Sequence, residues 1–334
     1  MTWLDPDDLD PHLAAGGAAV REAVRASDTP HLPPATLSNF TANLQHGWDG
    51  DRPLVAVAHE DSRVVAYVMV DLPRWDNEHL GAVSVDVDPL ERRRGIGRML
   101  FDAGVERVRS EGRKVVISDA FEGTPGEKFL ETMGFERASV AVQRRQDPTT
   151  VDWPHLDRLY ADVEAKSADY ELVRLPGRTP DELLADVGRM AESINDAPTD
   201  DLDIEDESFP ADRIRAMELA QEARGRRHYR LVARHRSSGE LAGHTVVGVE
   251  VEQPWVAWQL DTSVARGHRG HRLGQLLKIA MLHWMRGDEP QVRSLITWNA
   301  ESNAHMVGIN ELLGYTAIGR GIECQRRLES RDGS

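Results

Sequence analysis

The sequence predicts a mixed α/β fold built twice, each copy a mostly antiparallel mixed sheet flanked by helices. Three observations predict it. An alternating strand, Val83 to Val87, runs into Arg92-Arg93-Arg94-Gly95-Ile96-Gly97 and an amphipathic helix, and Leu260 to Val264 runs into Arg269-Gly270-His271-Arg272-Leu273-Gly274 and another. Each copy closes on an apolar helix that stops at a glycine and an aromatic residue, Gly134-Phe135 and Gly314-Tyr315. Ahead of each loop stands a pair of apolar runs separated by a polar turn. Such order, strands and helices mixed within one repeat, calls for a sheet with helices packed on it.

The elements follow in turn. Leu54–Ala58 and Val64–Val70 flank Glu60-Asp61-Ser62 and read as a hairpin, as do Tyr229–Arg234 and Gly243–Val249 around Ser237-Ser238-Gly239-Glu240. After each loop the apolar positions fall on one helical stripe: Ile96, Met99, Leu100 and Ala103, then Leu273, Leu276, Leu277, Ala280, Met281 and Trp284. A further strand follows in each half, Lys114–Ser118 and Ser294–Trp298. Between the copies, Asp152 and Pro154 open a connecting helix, and Tyr170–Leu175 starts the second domain. The expected domains are 1–148 and 169–330, joined by the helix at 149–168.

Bulk properties restrict the partners. A length of 334 residues suits two domains, and 40% hydrophobic content lets each bury a core. The net charge of −16 argues against a phosphate-backbone partner and so against nucleic acid. No apolar run approaches the roughly 18 residues that span a bilayer, and the acidic start around Asp5, Asp7 and Asp8 is unlike a signal peptide. The single cysteine, Cys324, closes no disulfide within the chain, and no cysteine cluster offers a metal site. The expectation is a cytoplasmic protein without a metal; its oligomeric state is not legible.

A strand turning tightly into a helix leaves the first helical N–H groups unpaired and pointing outward, and with the helix dipole they form an anion pocket. Glycines at Gly95 and Gly97 keep side chains away from a phosphate, and Arg92 offers charge-assisted hydrogen bonds.

With these residues assembled, the chain resembles the GNAT N-acetyltransferase superfamily, in particular its tandem members. The family's acyl-CoA signature, Arg/Gln-x-x-Gly-x-Gly/Ala, is met in full by Arg92, Arg93, Arg94, Gly95, Ile96 and Gly97. The second copy, Arg269, Gly270, His271, Arg272, Leu273 and Gly274, departs by placing Arg272 where glycine is expected. That side chain either crowds the pyrophosphate or swings outward to pair with a CoA phosphate. The resemblance implies acetyl-CoA as co-substrate, its pyrophosphate on these loops and its pantetheine arm between the fourth and fifth strands of a copy. The backbone at Val85 and Val87, or at Thr262 and Val264, would then bond the pantetheine and the thioester oxygen. It also implies cofactor contacts for Asn299 and Asn303, for which helix capping is the competing reading.

An attacking amine must lose a proton, and Asp261 stands on the strand expected to bear the thioester, where the first copy has Ser84. Asp261 is therefore the candidate general base, against a bracing role for the same carboxylate. His244 and Glu250 are weaker candidates, Cys324 reads as a small core residue, and the slot of the family's tyrosine general acid holds Leu130 and Asn310. The acidic stretch from Asp196 to Glu207 reads either as the lip of a pocket for a cationic acceptor or as a solvated loop. The expected function is acyl transfer from acyl-CoA to a small cationic amine in a ternary complex, with the second copy catalytic. The rival is an acyl-CoA-responsive binding protein without turnover.

Overall fold

The computed structural model describes residues 1–329. In chain order the elements are β1 (Thr2–Trp3), α1 (Pro11–Asp28), α2 (Leu37–His46), β2 (Leu54–Glu60), β3 (Arg63–Asp71), β4 (Leu80–Val87), α3 (Ile96–Ser110), β5 (Val115–Phe121) and α4 (Pro125–Thr132). There follow β6 (Glu136–Gln146), α5 (Trp153–Lys166), β7 (Tyr170–Pro176), α6 (Leu184–Ala191), α7 (Ala211–Ala223), β8 (Arg226–His235), β9 (Leu241–Glu250), β10 (Val256–Val264), α8 (Leu273–Asp288), β11 (Ser294–Ala300), α9 (Ala304–Leu312) and β12 (Thr316–Arg327). The order expected from the sequence is present in both halves, with the two-residue β1 added. Ser330, the end of the second expected domain, lies outside the described residues.

Contacts divide the chain into two units. Unit 1 holds Met1–Val140, Thr199–Glu205 and the chain from Arg320; unit 2 holds Ala141–Pro198 and Asp206–Gly319. In unit 1 the strands run β1-β2-β3-β4-β5-β12, all neighbours antiparallel except the parallel β4/β5 pair. In unit 2 they run β7-β8-β9-β10-β11-β6, with β10/β11 the parallel pair. Each sheet thus takes its last strand from the other half of the sequence. β6 follows α4 in the chain yet pairs through Ala141–Gln146 with Leu295–Ala300, while β12 follows α9 and pairs through Gly321–Arg327 with Val115–Phe121.

Each sheet is covered on both faces. In unit 1, α1 and α2 close one core around Phe40, Leu44, Val57 and Tyr67, and α3 and α4 close another around Phe101, Leu100 and Leu130, to which β12 adds Ile322 and Cys324. In unit 2, α5, α8 and α9 cover the face bearing Tyr229, Leu231 and Val247, and α6 and α7 cover the face bearing Leu175 and Val232. Local chemistry starts several helices: Asp10, Thr36, Asp152 and Asn303 each accept a first-turn N–H. The helices α3 and α8 have no side-chain cap. No helix among the described residues is long and apolar enough to cross a membrane.

Because β12 buries Ile322 and Cys324 in unit 1, a chain ending at Gly319 should lose unit 1 before unit 2. The expected result in hydrogen exchange is that amides of β5 lose protection by about tenfold or more while those of β8 and β9 keep theirs. Unchanged protection in β5 would contradict this assignment of the strand.

Candidate functional site

The two loops share one backbone shape despite their different sequences. The second and fourth positions are left-handed in both, as Arg93 (φ 67°) and Gly95 (φ 84°) in unit 1, and as Gly270 (φ 88°) and Arg272 (φ 58°) in unit 2. Glycine and arginine have exchanged places over the same two turns. Holding arginine left-handed costs about 1 kcal/mol or more, so each loop carries one such strained residue. None of the N–H groups from Arg92 to Arg98, or from Gly270 to Gln275, donates to a backbone carbonyl among the described residues. These are the free donors that an anion needs.

A Cβ at Gly95 would meet open space, but one at Gly97 would stand 3.3 Å from Val87 and 3.8 Å from Phe129. Gly97 therefore makes room for packing of α3 on its strand, whereas Gly95 serves the turn. Arg272 is exposed and has no ion pair among the described residues.

The first arginine of each loop is a clamp. Arg92 donates from Nε to the carbonyl of Val87 (3.2 Å) and bidentately to Asp28 at the end of α1 (3.0 and 2.7 Å). Arg269 donates from Nε to the carbonyl of Val264 (3.2 Å) and to Asp196, which follows α6 and also pairs Arg266. Each clamp ties loop, strand end and helix end together, and its charge is already neutralised. In unit 1, Arg94 is held likewise by Glu60 and Glu91.

Beside each loop the parallel strands part. β4 and β5 are in register only from Leu80/Val115 to Ala82/Ile117, and β10 and β11 only from Val256/Ser294 to Trp258/Ile296. A hydroxyl stitches the point of parting in both units: Ser118 Oγ donates to the Val83 carbonyl (2.7 Å), and Thr297 Oγ1 to the Gln259 carbonyl (3.2 Å). Beyond it the units differ. β4 pairs with β3 without interruption from Ala82 to Val87, while β10 bulges between Gln259 and Thr262. Gln259, 5% exposed, braces the bulge by donating from Nε2 to the Val246 carbonyl (2.8 Å) and to Thr245 Oγ1 (3.0 Å), which itself bonds Thr262 Oγ1 (2.7 Å). An extra residue of this kind leaves its backbone groups outside the ladder.

Asp261 lies in the bulge, which interrupts the alternation on which its expected orientation rested. Its side chain reaches solvent from within a dense surround, and this burial pushes its pKa up while Arg230 pulls it down. Arg230 is itself buried and donates to His244 Nδ1 (2.9 Å), with Glu218 at 3.6 Å. Burial, then the Arg230 charge, holds His244 well below the ordinary histidine range and brings His228 down to about 3, so both rings are neutral. His244 faces Ser263 in the ladder, and His244 Nε2 and Ser263 Oγ are buried without a hydrogen-bond partner among the described residues. Glu250 is bound to Arg226 (2.8 Å) and Trp258 Nε1 (2.9 Å), a bracing role.

Unit 1 has its own carboxylates near the parting strands, which the sequence reading passed over. Tyr67 donates to Asp86, its partner in register, and burial raises Asp86, as it does Asp119, which the Asp86 charge raises further. Asp119 reaches solvent from within a dense surround and faces Glu323 across the β5/β12 ladder. The matching positions in unit 2 are Ser263 and Trp298. Signals were present as isolated acids in strands, a placement that costs stability unless it serves something.

The remaining expected residues fall as follows. Asn303 caps α9 by accepting from Met306 N (3.1 Å), and Asn299 Oδ1 accepts from the fully buried Asn310 (2.6 Å). Cys324 is buried core, as expected. The acidic stretch is an ordered segment: Asp203 pairs with Arg327 and accepts at its carbonyl from His79, Glu205 N donates to Asn77 (2.7 Å), and Arg213 pairs with Glu207 (2.9 Å). Among the described residues no group of three or more His, Cys, Asp and Glu side chains is set to hold a metal ion.

A family model described as the Acetyltransferase (GNAT) family matches residues 19–135 and 193–315. The chain is 27% identical to a tandem GNAT protein from the clavulanic acid biosynthesis pathway, with 99% of each chain covered and a TM-score of 0.79. A GCN5-related N-acetyltransferase from Sphaerobacter thermophilus is 16% identical over 98% of this chain and 96% of its own, with a TM-score of 0.66, a likeness of fold. No curated protein sequence matches the chain.

On α8, behind the second loop, Lys278 is 2% exposed with its ammonium 5.1 Å from the Tyr315 ring, and burial lowers its pKa from 10.5 to about 7. The unfolded chain holds that proton up to about pH 10.5, so this lysine makes stability rise with pH between about 7 and 10.5. Lys278→Met should raise the melting temperature at pH 7 and flatten that rise. An equal loss of stability at pH 7 and pH 10 would show that the ammonium is satisfied in the fold.

Proposed function

The chain belongs to the GNAT acetyltransferase family, and from that membership we propose that it transfers an acetyl or other short acyl group from acyl-CoA to a small cationic amine in a ternary complex, with unit 2 catalytic. The observation that carries the choice of unit is the braced bulge of β10, for which β4 has no counterpart. The bulge frees backbone N–H groups beside the parting strands, where a developing oxyanion needs donors that are already oriented. Asp86 and Asp119 of unit 1 would oppose negative charge at the matching place.

In this reading the CoA pyrophosphate lies on the N–H groups of Gly270 to Gln275, with Arg272 reaching a phosphate, and the pantetheine arm runs between β10 and β11 along Thr262 and Val264. Arg269 acts through its clamp and leaves phosphate contact to the backbone. Asp261 takes the proton as the amine nitrogen attacks the thioester carbon; the carbon–sulfur bond then breaks and the thiolate leaves. Asn310 stands where a tyrosine acid would, and a neutral amide is too weak an acid to protonate a thiolate, so the proton comes from solvent. Loop 1, with Arg92 to Gly97 and the strand end from Val85 to Val87, holds a second CoA or braces the pair. The reading needs no metal, nucleic acid or membrane, and places the protein in the cytoplasm.

A second reading makes unit 1 the catalyst. Asp86, bonded by Tyr67, has the raised basicity of a proton acceptor, and its loop meets the acyl-CoA signature in full.

Release of CoA thiol from acetyl-CoA with a panel of amines tests the activity. Asp261→Asn should lower kcat about a hundredfold or more with CoA affinity nearly unchanged. In the wild type the rate should fall as pH drops through the raised pKa of Asp261, above the ordinary carboxylate range, because the base must be ionised. If Asp86→Asn abolishes turnover and Asp261→Asn spares it, unit 1 is the catalyst.

A further inference from the structure

The two units fill one ladder position with different chemistry. In β3 and β4, Tyr67 stands opposite Asp86 and donates to it, so the pair closes on itself. In β9 and β10 the matching pair is His244 opposite Ser263, next to the Gly243/Val264 rung as Tyr67/Asp86 is next to Ala66/Val87. His244 is 2% exposed and Ser263 7%, and neither His244 Nε2 nor Ser263 Oγ has a hydrogen-bond partner among the described residues. Buried polar atoms are rarely left so, because each costs the fold its desolvation. The pair lies on the face that α6 and α7 cover, since Val232, opposite His244 on β8, belongs to that core.

Arg230 holds His244 Nδ1 at 2.9 Å, and a guanidinium only donates, so Nδ1 carries the lone pair and Nε2 the proton. His244 therefore cannot take a proton from Ser263 through Nε2, which excludes an acyl-serine step driven by this histidine. It is a fixed donor, and the Ser263 hydroxyl opposite it can donate as well. Arg230 is balanced by Glu218 (3.6 Å), itself 3% exposed and bound by Arg215 (2.8 Å), so the pair offers dipoles and no net charge. Asp261, two residues before Ser263 on the same strand, supplies the negative charge, and the Arg230 charge acts on it too.

We propose that His244 and Ser263 select the acceptor by binding a neutral oxygen on the carbon next to the one that bears the amine, so that the substrate class is a vicinal amino alcohol. The inference rests on the reading of unit 2 as the acyl-transfer site with Asp261 as its base. The amine faces Asp261 and the hydroxyl faces the donor pair, and two positions along a strand span about 7 Å, which calls for a short spacer. A carboxylate in place of the hydroxyl would meet the donors but stand against Asp261. A methyl there would leave both donors unbonded, and a site of this kind discriminates strongly against an analogue that lacks the oxygen.

The test is kcat/KM of the full chain for acyl transfer from acetyl-CoA to 2-aminoethanol, propylamine and glycine, which keep the amine and vary the group beside its carbon. The wild type should prefer 2-aminoethanol to propylamine by about a hundredfold, and S263A should cut that preference about tenfold. Because the Ser263 hydroxyl bonds nothing among the described residues, S263A should melt no lower than the wild type, which separates the effect from unfolding. Comparing variant with wild type on one amine cancels the amines' own basicity. An unchanged preference in S263A, an equal loss on both amines, or glycine preferred to 2-aminoethanol overturns the assignment. If no amine is acylated, the acyl-transfer reading fails, and ligand-observed NMR of the chain with 2-aminoethanol and propylamine decides the oxygen site alone. Selective binding that S263A abolishes supports the site, and unselective or absent binding overturns it.

Discussion

Everything at the site depends on a parallel strand pair that is made to come apart. Three rungs join β4 to β5 and three join β10 to β11, and then the strands diverge although each continues for several residues. An open ladder exposes backbone donors and acceptors at a cost of order 1 kcal/mol each when they are shielded from water, so the parting must be held by something. Ser118 and Thr297 hold it by capping the last rung with a hydroxyl. The arginine clamps then fix where each diverging strand ends, since Val87 and Val264 carry both the strand terminus and the arginine's carbonyl partner. A cleft of backbone groups leading to unpaired helical N–H groups follows from those few bonds.

Much of this was legible in the sequence because it is local. Periodicity gave the hairpins and helix stripes, and the glycine-and-arginine strings marked the turns. The clamps were not legible: nothing near Arg92 says that Asp28 will meet it. Nor was the bulge, since Gln259 to Thr262 reads as uninterrupted alternation, and only the pairing with β9 reveals the extra residue. The exchange of last strands was equally hidden, because a strand's pattern states which face is buried and leaves its neighbour unspecified. The loops show the opposite case, in which sequence overstated a difference. Arg272 looked like a departure from glycine, yet the left-handed pair is present in both loops with its residues transposed.

The two units have diverged in charge more than in backbone. Around loop 1, arginines are matched by Asp28, Glu60 and Glu91, and the adjoining strands bring Asp86 and Asp119 together. Around loop 2, Arg266 and Arg269 are matched by Asp196 and His268 by Glu240, and the strands bring a serine and a tryptophan to the matching places. One backbone thus supports one loop beside desolvated acids and another beside a braced bulge. A fold of this kind sets where ligand groups go, and the side chains decide which unit can hold negative charge there.

The exchanged strands also bear on why such a chain keeps both copies. If each copy were complete, a second could be lost with the first still folded. Here the sheet of unit 1 ends on residues from Gly321 onward, and that of unit 2 ends on residues from Ala141, so a break between the copies leaves both sheets short. An unpaired β5 would expose its ladder groups and open the core that Ile322 and Cys324 seal, at a cost of several kcal/mol against a total stability of about 5–15 kcal/mol. A requirement that one unit stay folded therefore preserves the fold of the other. That coupling frees the charges of the partner loop to change without risk to its backbone, which is the pattern that the two loops display.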